Sequence, residues 1–335
     1  MSTLSVPAAP ARSPRLSGPT WLVLRLHRPA LLVWALVVVG GAALTLWLGG
    51  PLTDASAEAW RQYNACPQPA CSYDQNAVTT YKSVALYAAF VVALAPLAVA
   101  AWAGGALFGR EVEDGTAQLA WTQSVSPARW LAVKLAWPAA LIVVGLTPLA
   151  LLYHRAWSAG QGRIDTIKPW TDVLTYTASG PVPVAVALFA LAFGAVAALR
   201  LGRALPALGV TGAASFGVWS IAEALRVRLW PTVTRVAGLR SESIPGTSRA
   251  ETVERGIVTS GGTHVAGDSS CFIPDYKDAP GCATKLEQLH ATGYYADVHP
   301  YSHFWPLQLM ESGVVLAFAA VTAFVAFRLL RRRTA

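Results

Sequence analysis

Six long apolar runs constrain this chain more than anything else in it. They cover approximately Pro29–Leu48, Val84–Phe108, Leu131–Tyr153, Val182–Leu199, Ala204–Leu225 and Trp305–Leu330. Each is roughly 18–25 residues long, and at 1.5 Å rise per residue about 20 residues cross the ~30 Å hydrocarbon core of a bilayer. Only 13% of residues are charged and 54% are hydrophobic, whereas soluble domains average about 25% charged. The runs lack strict two-residue alternation, which disfavours a barrel. Lipid supplies no partner to exposed backbone groups, so the spans must be helices. The expected fold class is an all-α membrane protein with six transmembrane helices and a large extracytoplasmic loop between helices 5 and 6. The first run follows a basic leader of about 28 residues without a convincing small-residue cleavage site, so it reads as a retained helix.

Lys and Arg in the short connections set the expected orientation. With the N-terminus inside, Arg12, Arg15, Arg25, Arg28, Arg110, Arg129, Lys134, Arg200, Arg203, Arg328, Arg331, Arg332 and Arg333 all face the cytoplasm, against only Glu111, Glu113 and Asp114. The short outer loops dilute Arg61, Lys82, Arg155, Arg163 and Lys168 with Asp54, Glu58, Asp74, Asp165 and Asp172. Both termini are expected in the cytoplasm of a cell whose plasma membrane the chain crosses six times. The net charge of +8 then reflects a basic inner face against anionic lipid, with no call for nucleic acid.

Four segments follow. Residues 1–28 form a tail in which "TWLVLRLHRP" is either a short interfacial helix or an extension of the first span. Residues 29–225 carry helices 1–5, with a cytoplasmic segment at 109–130; the first helix is expected to end at "GGP", before an outer loop of about 30 residues. Residues 226–304 form the outer loop, of weak periodicity. Residues 305–335 form the last helix and its basic end. Cys66 and Cys71 share one outer loop, Cys271 and Cys282 the other, so two local disulfides are expected on the oxidising side. Zinc on Cys-x4-Cys lacks a nearby histidine, and no metal is expected.

Catalytic signatures are sparse. "GGALFGRE" has P-loop-like glycines, but Arg110-Glu111 replaces the Lys-Ser/Thr that phosphate and Mg²⁺ require, and no strand precedes it. ATP hydrolysis is therefore not expected on this chain, and no catalytic residue is assigned. His290, His299 and His303 cluster before the last helix; Pro300 breaks the regular helix that i,i+4 ligation needs, and solvated loop histidines are the simpler reading. Glu311, beside Gln308 and Ser312, is a candidate pathway or helix-contact residue, since carboxylates in spans usually face a bundle interior. Glu223, three residues before Arg226, reads as an interfacial ion pair. Such scarce intramembrane charge argues against a proton-coupled carrier, so the energy source is expected on another chain.

The densest polar stretch, "FGREVEDGTAQLAWTQSVSPARW", lies on the expected cytoplasmic side. Ala117, Leu119, Ala120 and Trp121, interleaved with Gln118, Gln123 and Ser124, predict a short amphipathic helix. Ser126-Pro127 predicts the N-cap and first position of the third span. An exposed helix of this kind can dock in a groove of a soluble partner; a solvated linker with interfacial tryptophans is the alternative.

"GREVEDGTAQLAWTQSVSPARWLAVK" resembles the loop after the second helix in actinobacterial ATP-binding-cassette (ABC) transporter permeases of the type-2 exporter class. The matching positions are Arg110, Glu111, Glu113, Gly115, Thr116, Leu119, Ala120, Trp121, Thr122, Gln123, Ser124, Val125, Arg129, Trp130, Leu131 and Lys134. "HFWPLQLMESG" (His303–Gly313) resembles the start of their last span, and "TWLVLRLHRPAL" their N-terminal segment. The resemblance implies six transmembrane helices, two ABC ATPase subunits that carry ATP and Mg, and a second permease copy in a homodimer or a related pair. It assigns ATPase coupling to Arg110, Glu111, Glu113, Gly115, Thr116, Trp121 and Gln123. A non-transporting immunity or scaffold protein with a ligand-binding outer loop is the alternative, and an enzyme using the outer histidines a third reading.

Overall fold

The computed structural model describes residues 25, 28–66, 72–122, 125–267 and 270–334. Six helical spans long and apolar enough to cross a membrane are present, which makes this a multi-pass membrane protein. The proposed interfacial stretch Thr20–Pro29 falls mostly outside the described residues.

The first span is longer than its apolar run. Helix α1 (Arg28–Trp47) does not stop at "GGP" but widens into a π-helical turn at Leu48–Leu52 and continues as α2 (Thr53–Asn64). Pro51 has no N–H to donate, and a π turn absorbs the break. The Thr53 hydroxyl donates to the Leu48 carbonyl at 2.6 Å. Gly49 permits the close approach behind it, since a Cβ there would lie 2.9 Å from the Ala156 backbone. The expected 30-residue outer loop is therefore largely helical. Arg163 donates to Asp54 at 2.7 Å, which ties α2 to the connection after the third span.

The second span is α3 (Gln75–Ala101) extended by a π-helical segment, Trp102–Gly109. Two short helices follow, α4 (Arg110–Glu113) and α5 (Thr116–Thr122), then the third span α6 (Pro127–Gly160). Helix α7 (Val173–Ala178) precedes the fourth and fifth spans, α8 (Val182–Leu201) and α9 (Ala204–Leu225). Gly202, at φ +66°, supplies the left-handed residue that ends α8. The hub is α8: 83% of its most apolar window is buried, against 17% in the first and fifth spans. A helix apolar all round is stable only when surrounded, and α8 packs against α3, α6, α9 and the last span. Helices α1 and α9 instead keep Leu36, Val39, Phe216 and Ile221 exposed, which costs nothing in lipid.

The all-α expectation needs correction between the fifth and sixth spans. Strands β1 (Val233–Gly238), β2 (Glu251–Thr259), β3 (His264–Ala266) and β4 (Ala291–His299) form an antiparallel sheet in the order β1-β4-β2-β3. A short helix, α10 (Cys282–Gln288), covers a core of Ile257, Phe272, Tyr294 and Val298. Bulges at Thr252/Glu254 and Val258/Thr259 interrupt the alternation of β2, which is why the segment shows little periodicity as a sequence. Cys271 and Cys282 are disulfide-bonded. Cys66 is not free, and Cys71 lies outside the described residues.

The last span, α11 (Phe304–Thr334), follows a 3-10 turn at Tyr301–His303. The three histidines do not form a cluster. His290 and His299 sit at opposite ends of β4, about 30 Å apart at strand rise. His299 is fully buried, with Nε2 2.9 Å from the Val227 carbonyl and Nδ1 3.0 Å from His303 Nδ1. A solvated-loop reading fails for His299, whose ring pins the sheet to the end of the fifth span. Among the described residues no group of three or more metal-ligating side chains occurs.

Candidate functional site: an elbow at the end of the second span

The elbow begins with three glycines that seat the π segment against its neighbours. A Cβ on Gly104 would lie 2.7 Å from the Ala207 carbonyl oxygen and the Thr211 hydroxyl, and one on Gly109 2.7 Å from Ala204 Cα. On Gly105 it would press on Leu208. The "GGALFG" glycines thus hold the second span tight against α9, and no phosphate cradle is formed.

Beyond Gly109 the chain turns. Gly115 adopts φ +70°, a conformation that costs a residue with a Cβ, and α5 starts at once. Thr116 Oγ1 donates to the Glu111 carbonyl at 3.3 Å, closing the turn. Trp121 packs edge-on against Trp130, with ring centroids 5.6 Å apart, and Trp130 in turn packs on Phe108 at 6.3 Å. The predicted cap is present: Ser126 Oγ accepts from Arg129 N at 3.4 Å, with Pro127 at the first helical position.

The two glutamates reach in different directions. Glu111 Oε1 lies 2.5 Å from Lys134 Nζ on α6. Lys134 is 3% exposed and also donates to the Leu107 carbonyl at 2.7 Å. Its ammonium lies over the rings of Trp130 (5.1 Å) and Phe108 (5.8 Å), a desolvated cation–π setting. Glu113 Oε2 accepts from Ala204 N at 2.8 Å, so a side chain from one connection caps the first turn of α9, where Arg203 offers no side-chain cap. A carboxylate also suits the positive end of that helix dipole.

Of the sequence-predicted residues, Glu111, Glu113, Gly115, Thr116 and Trp121 therefore meet in one built elbow. Arg110 is exposed on its flank, and Gln123 lies outside the described residues. Leu119 (57% exposed), Gln118 and Thr122 form the outward face of α5. The sequence marks Lys134 as an inner-face charge and a position of the family motif, without pairing it to Glu111. Its position inside "WLAVKLAW" was the available signal, since a cation in an apolar run demands a counter-charge.

Gln308 and Glu311 lie elsewhere, near the end of the bundle that carries the sheet, both buried on one face of α11. Gln308 Nε2 donates to the Tyr176 carbonyl at 2.7 Å, a helix contact to α7. The Glu223–Arg226 pair is present at 2.9 Å, and Arg226 is only 3% exposed. It also donates to Glu251 of β2 at 2.6 Å and stacks over Tyr176 with its Cζ 4.3 Å from the ring centroid.

Comparison with known proteins agrees with this architecture. No curated protein and no solved structure matches the chain. A family model described as "ABC-2 membrane transporter related" matches residues 35–228, from within α1 to the end of the fifth span, stopping where the sheet begins. Six apolar spans, a glycine-seated second helix and a polar elbow thus stand in a chain that belongs to the ABC-2 membrane transporter related family.

Proposed function

We propose that this chain is the permease subunit of an ATP-driven exporter of the type-2 class, coupled through its elbow to a separate ATPase. Family membership implies association with an ATPase; the finer assignments are ours. Two ATPase subunits bind ATP and Mg, and two permease copies, identical or related, stand side by side in a bacterial plasma membrane with both termini and the elbow in the cytoplasm. The sheet between the fifth and sixth spans then lies outside.

The observation that carries this reading is the two-sided anchoring of the elbow. Glu111 joins it to α6 through Lys134, and Glu113 joins it to the first turn of α9. A partner pressing on Gln118, Leu119 and Thr122 moves a rigid piece, and both anchors hand the displacement to spans three and five. Exposed Tyr87, Phe90 and Leu94 on α3 and Phe216 and Ile221 on α9 support a translocation path between copies suited to amphipathic or apolar cargo. Alternating access follows if ATP closes the ATPase pair and the elbow acts as its lever.

Co-purification with the ATPase tests this. Leu119→Glu alters only the outward face and is expected to reduce recovery of the ATPase. Replacing Glu111 and Glu113 together by Ala is expected to weaken association or abolish permease-stimulated ATP hydrolysis. Full retention of both properties in both variants defeats the assignment.

A further inference from the structure

At the junction of α7, α9, β2 and α11, the protein buries more acid than base. Glu311 is 1% exposed, and neither of its carboxylate oxygens has a hydrogen-bond partner among the described residues. The ionisable groups facing it are Tyr176 of α7, Glu223 on α9, Arg226 just after it and Glu251 of β2. Asp172, ahead of α7, stands behind Glu223. From α6 the nearby titratable side chains are Tyr153, directed to Thr175, and His154, which stacks on Phe304 at 5.1 Å, about two turns from Glu311. Helix α8 contributes no ionisable group at this level, its charged residue being Arg200 at the opposite end.

Arg226 is the one cation in that set, and it is already engaged. Its guanidinium contacts Glu223 at 2.9 Å and Glu251 at 2.6 Å. Glu311 is thus a third carboxyl beside a cation shared by two others. Among the described residues the Tyr176 hydroxyl beside it is the one donor in reach. Ser312 Oγ, on the same buried face, is unpartnered.

An ionised carboxylate buried without a cation of its own is among the most unfavourable arrangements a protein can hold, and such a group neutralises instead. A proton converts Glu311 from an acceptor-only anion into a neutral acid with one O–H to donate. We infer that Glu311 is a proton-binding site, occupied at neutral pH while the junction of α11 with α7 and β2 is closed. Removing the proton leaves an unpaired buried charge, so the closed junction loses stability as pH rises.

Infrared spectroscopy of the full-length protein in lipid nanodiscs tests this without any partner ATPase, so its outcome is independent of the exporter reading. At neutral pH the wild type is expected to show a protonated-carboxyl C=O band that Glu311→Gln lacks and that Glu223→Gln and Glu251→Gln retain. Glu311→Asp, which keeps the acid but moves it, is expected to shift the band, and this variant decides the matter if Glu311→Gln does not fold. The wild-type thermal midpoint is expected to fall as pH is raised from the ordinary carboxylate range towards neutral, and that of Glu311→Gln to fall less steeply. Absence of the band in the wild type, or its persistence unchanged in Glu311→Gln and Glu311→Asp, overturns the proposal. So does a band seen only when choline replaces Na⁺ and K⁺, which identifies a metal cation as the occupant. An equal pH slope in Glu311→Gln also overturns it.

Discussion

Two regions of this protein bury charge, and they do so with opposite bookkeeping. At the elbow the buried cation has its counterpart: Lys134 meets Glu111 and the Leu107 carbonyl, and Glu113 meets the Ala204 amide. At the junction of α11 with α7 and β2 one guanidinium is shared by Glu223 and Glu251, and Glu311 is left over. A balanced site transmits force without changing its charge state. An unbalanced one must take up something to stay closed, and the smallest such thing is a proton.

The comparison is most exposed to Arg226. Arg226→Met removes this cation and leaves two more partly buried carboxylates unpaired, so unfolding in detergent should show a loss of about 3–5 kcal/mol. Adding Glu251→Gln should recover part of it; no recovery would mean that the guanidinium acts mainly by packing on Tyr176. The same operation at the elbow should cost less, because it strands one carboxylate, Glu111, rather than two. Lys134→Met is expected to lose about 2–3 kcal/mol, and the Lys134→Met/Glu111→Gln pair to regain most of that. A loss as large as that of Arg226→Met would erase the distinction between the two regions.

Gly104→Ala tests the seat of the elbow rather than its charges. With a Cβ 2.7 Å from the Ala207 carbonyl oxygen, overpacking should cost roughly 1–3 kcal/mol and push the second span away from α9. Unchanged stability would mean that α9 shifts freely, and a rigid elbow could not then stand. The smallest stability effect is expected for Glu113→Ala, about 1 kcal/mol as for a lost helix cap. Its effect on ATPase stimulation should be disproportionately large, which separates a lever from a mere cap.

Periodic and local features are legible in the amino-acid sequence alone. Ser126-Pro127 announces the start of α6 because a cap is a relation between neighbours. The helix through "GGP" is hidden because a proline next to two glycines reads as a terminator; only packing against Ala156 holds the π turn in place. The sheet is hidden because bulges break its alternation and its core comes from segments far apart in sequence. His290, His299 and His303 look like a group because they are close along the chain, but an extended strand separates the first two by its full length.

What the sequence by itself determined is the solvent: apolar runs of bilayer length admit six helical spans, and the polar interruption between the second and third marks where the chain leaves the apolar phase. What only the tertiary structure decided is the pairing. Glu111 with Lys134, Glu113 with the start of α9, and Arg226 with Glu251 bridge residues that no period relates. Burial is a property of composition along a segment, whereas the counter-charge of a buried group depends on which segments the fold brings within about 3 Å of it.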